Sequence, residues 1–293
     1  MHVVTLISAR RDPRVSRTLA DAARDEIGEA ELRWLERDVA CDLTTVEPLA
    51  DDTLRRLRSL AEAEAIDCVV QHAEGRRKRI LLADMDSTMI EQECIDELAD
   101  VLGLKDEVAA ITARAMNGEI AFEPALRERV ALLRGLPEDT IGRVIAERIT
   151  MTDGGTTLVR TMRKAGAHAA LVSGGFTAFT QVVADRLGFA ENRANVLNVA
   201  DGRLDGTVAE PILGAEAKLA ALNGIARDLN LTSQDVLAVG DGANDLPMIM
   251  AAGTGVALHA KPAVAAKAPY RIDHGDLTAL LFMQGYRADE FVS

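Results

Sequence analysis

The sequence has little of what stabilises small secreted proteins or membrane proteins. Its three cysteines, Cys41, Cys68 and Cys94, are odd in number and show no CxxC spacing, which argues against a disulfide framework and a thiolate zinc site. No uninterrupted apolar run approaches about 18 residues, and charges follow the short apolar run at the start, so we expect neither a spanning helix nor a signal peptide. These absences predict a cytoplasmic protein.

Positive charge is also scarce. The chain has 33 lysines and arginines against 46 aspartates and glutamates, a formal net charge of -13. Such a chain repels nucleic acid and anionic membranes unless a local basic patch intervenes, and the longest basic run is Arg76 to Arg79. The histidines show no metal-site spacing such as HExxH. We therefore expect no nucleic-acid or membrane partner.

The length of 293 residues, with 48% hydrophobic and 27% charged residues, is typical of a globular protein of about two domains. Residues 1–75 alternate short apolar runs with helical patterns, which predicts a small α+β domain with Trp34 in its core or an interface. The polar and basic segment 73–79 predicts a linker. Residues 76–293 are expected to form the second domain.

After the linker, three short apolar runs are typical of buried parallel strands separated by helices. They are Ile80 to Ala83, Ala169 to Val172 and Val236 to Val239. This pattern predicts an α/β fold with a Rossmann-like parallel sheet. Polar residues follow each run, and open α/β sheets bind ligands at the carboxyl ends of their strands. The functional site is therefore expected where the three runs end.

Residues 94–150, between the first two runs, have helical patterns. Ile95, Leu98 and Ala99 lie on one face of the first predicted helix, and the proline and acids at 137–139 mark the start of the last. An insertion of this size directly after a candidate catalytic strand predicts a helical cap over the site. Further along, the pair Asp201-Gly202 between two apolar runs predicts a β-hairpin.

Two carboxylates follow the first predicted strand, Asp84 and Asp86 in DMDST. A carboxylate on a rigid strand end can attack phosphorus, and a second can protonate the leaving oxygen, which divides one difficult displacement into two easier steps. The Asp86 carbonyl stays free to coordinate a metal. An acidic turn that caps a helix is the alternative interpretation of this motif alone.

A third acidic group follows the last predicted strand in GDGAND, which contains Asp241 and Asp245. Bringing Asp84, Asp86 and Asp241 together costs free energy by like-charge repulsion unless a cation lies among them. Oxygen ligands with room for water and a phosphate favour Mg²⁺. A glycine-rich turn with solvated acids would explain either motif alone, but it explains poorly why both follow buried strands.

Two further segments suit a phosphate group. Ser173-Gly174-Gly175 offers a hydroxyl and backbone N–H groups at an expected helix N-terminus. Lys218, at the start of another expected helix, can neutralise charge on a transferring phosphoryl group. Each signal is weak alone, since such loops are commonly only turns and single lysines are usually solvated.

Taken together and in this order, DMDST, SGGF, the helix-borne lysine and GDGAND resemble the four motifs of the haloacid-dehalogenase (HAD) superfamily of phosphohydrolases. Glu93 and the segment AMNGEIAFEPALRERVALL at 115–133 are similar to the phosphoserine phosphatases of that superfamily, and the resemblance covers roughly 79–285. It implies Mg²⁺-dependent hydrolysis of phosphoserine through a phosphoaspartyl intermediate, the last step of serine biosynthesis.

The resemblance also implies roles for the matching residues. Asp84 would be the nucleophile, and Asp86 would be the acid that protonates the serine oxygen and later the base that activates water. Mg²⁺ would be held by Asp84, by Asp86 through its carbonyl and by Asp241, with Asp245 in support. Phosphate would be bound by Ser173, Gly174 and Lys218, with Gly175 and Asn244 nearby. In the cap, Glu93 would bind the substrate ammonium and Arg129 its carboxylate, and Met116 and Phe122 would form an apolar lid. A surface ion pair of Glu93 with Arg129, and plain packing of Met116 and Phe122, are the alternatives.

Two other functions stay open. The motifs also fit a HAD phosphatase or phosphotransferase that acts on another small phosphomonoester. The N-terminal domain resembles ACT-type amino-acid-binding domains, although its strand count is not clean and no diagnostic glycine turn stands out. An amino-acid-sensing, dimerisation or purely structural role is therefore open for that domain, and the sequence allows a homodimer.

Overall fold

A computed structural model describes residues 1–116 and 119–293, except for the side chain of Met116. The expected lid role of Met116 therefore lies outside the described residues. Throughout the described ranges, every helix is too short or too polar to cross a membrane.

The N-terminal part is an antiparallel sheet with two helices on one face. Its elements are β1 (His2–Ile7), α1 (Arg17–Ile27), β2 (Glu31–Glu36), β3 (Ala40–Thr45), α2 (Asp51–Ala63) and β4 (Asp67–His72). The strand order is β2-β3-β1-β4, so the chain follows the β-α-β-β-α-β succession of split βαβ folds. The side chain of Ser16 caps α1 by accepting the Leu19 N–H at 3.1 Å.

Both faces of this sheet are buried. Val4 and Leu6 of β1 point toward α1 and α2, where they pack with Leu57. Ile7 and Val69 belong instead to the large apolar cluster of the rest of the chain. Because successive side chains of a strand point to opposite faces, one sheet serves both layers.

Polar groups on the second face bind the sheet to the remainder of the molecule. Asp42 pairs with Arg76 at 2.5 Å and accepts the Thr5 hydroxyl at 2.8 Å. Gln71 donates to the Met283 carbonyl at 2.6 Å. The segment predicted as a linker therefore carries a side chain that is part of this contact, since Arg76 is only 14% exposed.

The second part of the chain contains the remaining elements. They are β5 (Ile80–Ala83), α3 (Cys94–Val101), α4 (Lys105–Met116), α5 (Phe122–Leu132), α6 (Asp139–Glu147), α7 (Gly155–Lys164), β6 (His168–Phe176), α8 (Thr177–Leu187), β7 (Glu191–Asn195), β8 (Leu197–Ala200), β9 (Arg203–Val208), α9 (Ala215–Asp228), β10 (Val236–Gly240), α10 (Leu246–Ala251), β11 (Thr254–Leu258), α11 (Pro262–Ala265), β12 (Tyr270–Ile272) and α12 (Ala279–Met283), with 3-10 turns at Ser233–Asp235 and Ala288–Glu290.

Six of these strands form one parallel sheet in the order β12-β11-β10-β5-β6-β7. The central strands β5 and β10 are buried along their whole length, as the continuous apolar runs predict. The α/β fold with a parallel sheet is thereby confirmed. Helices α3 to α6 form the insertion between β5 and β6, and the hairpin of β8 and β9 packs against α5.

Two local predictions have different outcomes. The β8–β9 hairpin is confirmed, and both Asp201 and Gly202 adopt the positive φ angles that a tight hairpin turn requires. The expected helix N-terminus at Ser173-Gly174-Gly175 is wrong. These residues belong to β6, which continues to Phe176 because Phe176 pairs with Asn195 of β7, and α8 begins at Thr177.

We expect Asp42→Asn to lower the free energy of unfolding by about 3 kcal/mol, because it leaves the largely buried Arg76 guanidinium without its carboxylate. Urea denaturation would measure this. Asp12 pairs with Arg14 at 2.6 Å with both side chains about half exposed, so Asp12→Asn is the matched control and should cost less than about 1 kcal/mol. Equal losses in the two variants would contradict the structural role of the Asp42 pair.

Candidate active site

The carboxyl ends of β5 and β10 bring three acidic side chains together. Asp84 follows β5 directly, and its backbone N–H donates to the Val239 carbonyl of β10 at 3.0 Å. Asp241 follows β10, and Asp245 lies one turn further along. One carboxylate oxygen from each of Asp84, Asp241 and Asp245 lies within 4.8 Å of the other two. All three side chains are buried.

Lys218 joins two of these acids. It lies in the first turn of α9, it is fully buried, and its Nζ is 2.7 Å from Asp84 Oδ1 and 2.6 Å from Asp245 Oδ1. Burial alone would lower the pKa of Lys218, but Asp245 and Asp84 more than offset that effect and raise the pKa above its usual value. The lysine is therefore charged at neutral pH.

One lysine does not balance three carboxylates. Burial, followed by the charges of Asp84 and Asp245, raises the pKa of Asp241 to about 8. Burial and Asp84 raise the pKa of Asp245 to about 7, against the opposing effect of Lys218. This excess of buried negative charge and the oxygen-only donor set fit a hard divalent cation such as Mg²⁺.

Asp245 is held by bonds on both of its oxygens. Oδ1 accepts from Lys218, and Oδ2 accepts the Gly242 N–H at 2.9 Å. A Cβ atom at Gly240 would overlap the Asp245 side chain, so the glycine allows the close approach. Since protein groups bond to both oxygens, this geometry favours the expected supporting role over direct ligation.

Asp86 lies beside the start of α3. Its Oδ1 accepts the Cys94 backbone N–H at 3.0 Å. Burial, together with the charges of Glu93 and Asp84, raises the pKa of Asp86 well above its usual value. A Cβ atom at Gly175 would lie only 2.6 Å from Asp86 Oδ2, so glycine is needed there. A raised pKa keeps a carboxyl group protonated to a higher pH than usual, which suits it to donate a proton.

The predicted phosphate-binding segment is held in place by a residue that sequence reasoning missed. Ser173 Oγ accepts the Gly175 N–H at 2.9 Å. Asn195, buried at the end of β7, donates to the Gly174 carbonyl at 2.8 Å and accepts the Leu213 N–H at 2.7 Å. It thereby joins the glycine segment to the chain just before α9, which carries Lys218. The sequence shows only an asparagine directly before the apolar pair Val196-Leu197, which is a weak signal.

Phe122 places the first turn of α5 against the core. A Cβ atom at Gly174 would lie 3.2 Å from Phe122 Cζ, and one at Gly214 would lie 3.2 Å from Phe122 Cδ1. The side-chain amide of Asn244 would lie 3.8 Å from the same Gly174 Cβ position. The phenyl ring therefore covers the glycine segment from the side of the insertion, where the sequence predicts a lid.

Glu93 immediately precedes α3 and is exposed at the mouth of the site. Its Oε1 accepts the Ser87 hydroxyl at 2.8 Å. Ser87 has a φ of 52°, a left-handed conformation that costs a non-glycine residue about 1 kcal/mol or more. This strained turn ties the DMDST loop to Glu93.

Arg129 lies on α5, half-buried above the site. Its Nε donates to the Ala125 carbonyl at 3.2 Å and its Nη1 to the Thr112 hydroxyl at 3.3 Å. Burial lowers the pKa of Arg129, against the opposing charges of Glu93 and Asp96. In the described part of the chain, Glu93 and Arg129 form no ion pair with each other, which disfavours the surface-pair alternative.

A family model for haloacid dehalogenase-like hydrolases matches residues 81–250. The phosphoserine phosphatase of Archaeoglobus fulgidus is 43% identical over 229 residues, which cover 75% of this chain and 66% of that protein. The phosphoserine phosphatase of Streptomyces coelicolor is 39% identical, over 80% of this chain and 57% of that protein. The chain thus spans less than two thirds of the length of these two relatives.

Solved structures give the same result. A HAD family hydrolase, t0658, of Salmonella enterica serovar Typhi superposes with a TM-score of 0.85 at 30% identity, covering 97% of this chain and 98% of that one. A phospho-aspartyl intermediate analogue of phosphoserine phosphatase gives a TM-score of 0.66 at 39% identity, covering 70% of this chain and 98% of that one. Since the family model also matches more than half of the sequence, the chain belongs to the haloacid dehalogenase-like hydrolases.

Proposed function

We propose that this protein hydrolyses O-phosphoserine to serine and inorganic phosphate. The observation that carries the proposal is the contact of Lys218 Nζ with Asp84 Oδ1 at 2.7 Å, directly beside Asp241 and under the helical insertion. This contact supports the proposal, because transfer of a phosphoryl group needs both a nucleophile and a cation that neutralises charge. Relatives named phosphoserine phosphatase support the choice of substrate.

In this mechanism Asp84 attacks phosphorus and forms a phosphoaspartyl group. The Lys218 ammonium and the Met85 backbone N–H both bond to Asp84 Oδ1, the latter at 2.8 Å. These bonds fix the carboxylate plane and leave Oδ2 as the oxygen for attack. A nucleophile held in one orientation saves the entropy of aligning it with the substrate.

Asp86 acts in both halves of the reaction. As the bond from phosphorus to the serine oxygen breaks, the protonated Asp86 gives its proton to that oxygen. Asp86 then accepts a proton from the water that attacks the phosphoaspartyl group, which releases phosphate and restores Asp84. The raised pKa of Asp86 suits the first of these steps.

The acidic centre would hold Mg²⁺ through the carboxylates of Asp84 and Asp241 and the carbonyl of Asp86, with Asp245 in support. When bound, the ion would stabilise negative charge on the phosphoryl oxygens. The protein groups proposed to hold those oxygens are Ser173, Gly174 and Lys218, with Gly175 and Asn244 beside them.

The insertion would supply recognition of the amino-acid part. Phosphoserine carries an ammonium and a carboxylate in addition to its phosphate, so a selective pocket needs an acid and a cation. Glu93 would bind the ammonium, Arg129 the carboxylate, and Phe122 would exclude water. On this proposal the enzyme catalyses the last step of serine biosynthesis. The cytoplasmic location and the homodimer stay predictions.

A cavity favours a second role for the N-terminal part. A space of about 370 Å³ lies between α2 and β4 on one side and the 265–274 segment on the other. Charged side chains of both signs line it, and so do polar and small apolar side chains. The charged ones are Arg58, Arg271, Glu62, Asp67 and Asp273. Such a space suits a small zwitterion, which supports the amino-acid-sensing alternative.

We expect O-phosphoserine to be hydrolysed faster than phosphoethanolamine, phosphoglycolate or p-nitrophenyl phosphate when phosphate release is measured with Mg²⁺. Chelation by EDTA should stop turnover, and added Mg²⁺ should restore it. Asp84→Asn should abolish turnover in a protein whose circular dichroism is unchanged, because an amide is a far poorer nucleophile. Substantial activity in that variant would remove Asp84 from its role.

Preference for another ester in the same panel would favour the alternative substrate. Transfer of phosphate to added acceptor alcohols, in place of release to water, would identify a phosphotransferase.

Arg129→Ala should raise KM for phosphoserine about tenfold or more, since a charge-assisted hydrogen bond contributes about 1.5–3 kcal/mol. KM for phosphoethanolamine, which lacks the carboxylate, should change less than about twofold. Arg127→Ala is the matched control, because Arg127 lies on the same helix but pairs with the exposed Glu210 at 2.7 Å. Equal effects of Arg129→Ala on both esters would refute the assignment.

The sensing role predicts that L-serine inhibits the full-length enzyme at the cavity. Arg271→Ala should then weaken inhibition by serine about tenfold, measured by steady-state kinetics, without changing KM for phosphoserine. Arg55→Ala, an exposed residue of α2 outside that cavity, is the control. If Arg271→Ala did not change inhibition by serine, the sensing role of this cavity would be refuted, and a structural role would remain for the N-terminal part.

A further inference from the structure

The carboxylate of Asp86 contacts Cys94 at both of its oxygens. The Cys94 backbone N–H donates to Oδ1 at 3.0 Å, and the thiol Sγ lies 3.5 Å from Oδ2. No other hydrogen bond reaches this carboxylate within the described ranges, and Lys218 bonds to Asp84 and Asp245 instead. Among the described residues, the hydrogen bonds that orient the Asp86 side chain therefore come from Cys94 alone.

Cys94 itself has little freedom to move. It is 1% exposed and is the first residue of α3. Gly175 of β6 faces both groups, since a Cβ atom there would be 3.1 Å from Cys94 Sγ and 2.6 Å from Asp86 Oδ2. The thiol, Asp86 and Gly175 thus pack against one another, so that the position of the thiol is set by the fold and not by solvent.

A thiol suits both protonation states of the carboxyl group beside it. The S–H is a weak donor and the sulfur a weak acceptor. Toward a carboxylate the thiol donates, and toward a protonated carboxyl group it can accept. Because the contact is weak in either direction, it can orient Asp86 without holding the proton that Asp86 must transfer.

We infer that Cys94 is a positioning residue: its backbone N–H and thiol hold the Asp86 carboxyl group in the orientation from which it exchanges a proton with the leaving oxygen and then with water. The inference rests on the proposed function, in which Asp86 is the acid and base. Inaccessibility excludes the thiol itself as a nucleophile.

The test compares two leaving groups. A serine alkoxide needs a proton as it leaves, whereas p-nitrophenolate is stable enough to leave without one. We expect Cys94→Ala to lower kcat for phosphoserine about tenfold with KM changed less than twofold. The rate of p-nitrophenol release in the first turnover, measured by stopped flow, should fall less than twofold.

Three variants complete the design. Cys94→Ser, which keeps a donor and acceptor at the position, should restore kcat to within about threefold of the wild type. Cys94→Val fills the space without a donor and should repeat the loss, so it replaces the alanine variant if that protein does not fold. Cys41→Ala is the matched control, because Cys41 is equally buried in the distant N-terminal sheet.

Equal losses for phosphoserine and p-nitrophenyl phosphate, or a serine variant as slow as the alanine variant, would overturn the inference and leave Cys94 a packing residue. Failure of the proposed substrate is a separate result. If the wild type did not hydrolyse phosphoserine, the same comparison would be made with the alkyl phosphate of the panel that it hydrolyses fastest.

Discussion

The site depends on one fully buried ammonium group that binds two carboxylates from different loops. Lys218 brings Asp84 of the first loop and Asp245 of the last to within hydrogen-bond distance of the same Nζ atom. Removing a charge from water is costly unless it is paired, so each of these residues requires the others. The glycines at 240 and 242, and the Asn195 bonds that anchor the start of α9, serve this contact because they let the loops approach.

The pairing also leaves negative charge uncompensated. The charges of Asp84 and Asp245 act on Asp241 and are opposed only in part by that of Lys261, and the Thr88 hydroxyl at 3.4 Å is its one hydrogen-bond partner among the described residues. A buried site with this imbalance favours a cation, and a cation in turn favours an anionic substrate. The negative net charge of the whole chain, which disfavours binding to nucleic acid, therefore does not prevent a phosphate from binding here.

Sequence patterns predicted the strands of the parallel sheet and the acidic residues that directly follow them, because both are visible in short stretches of the chain. The apolar run Ile80–Ala83 predicted a buried strand, and the order of the motifs placed Asp84 and Asp241 at one edge of a parallel sheet. The sequence could not predict contacts between distant segments without a characteristic spacing. Asn195 bonds across to Leu213, and Arg76 bonds back to Asp42, and neither pair has periodicity to reveal it. Ser173-Gly174-Gly175, the proposed phosphate-binding segment, was assigned to a helix start because its pairing with β7 is also long-range.

The N-terminal sheet, which is buried on both faces, determines what can be removed from this protein. Ile7 and Val69 share an apolar cluster with Phe282 and Met283, so deletion of the first 75 residues would expose the apolar side chains of α12. The deletion would also remove Asp42, the carboxylate partner of Arg76. A shortened chain would tend to aggregate at that surface. Excision of the second part of the chain as a separate protein would therefore require redesign of the apolar face of α12.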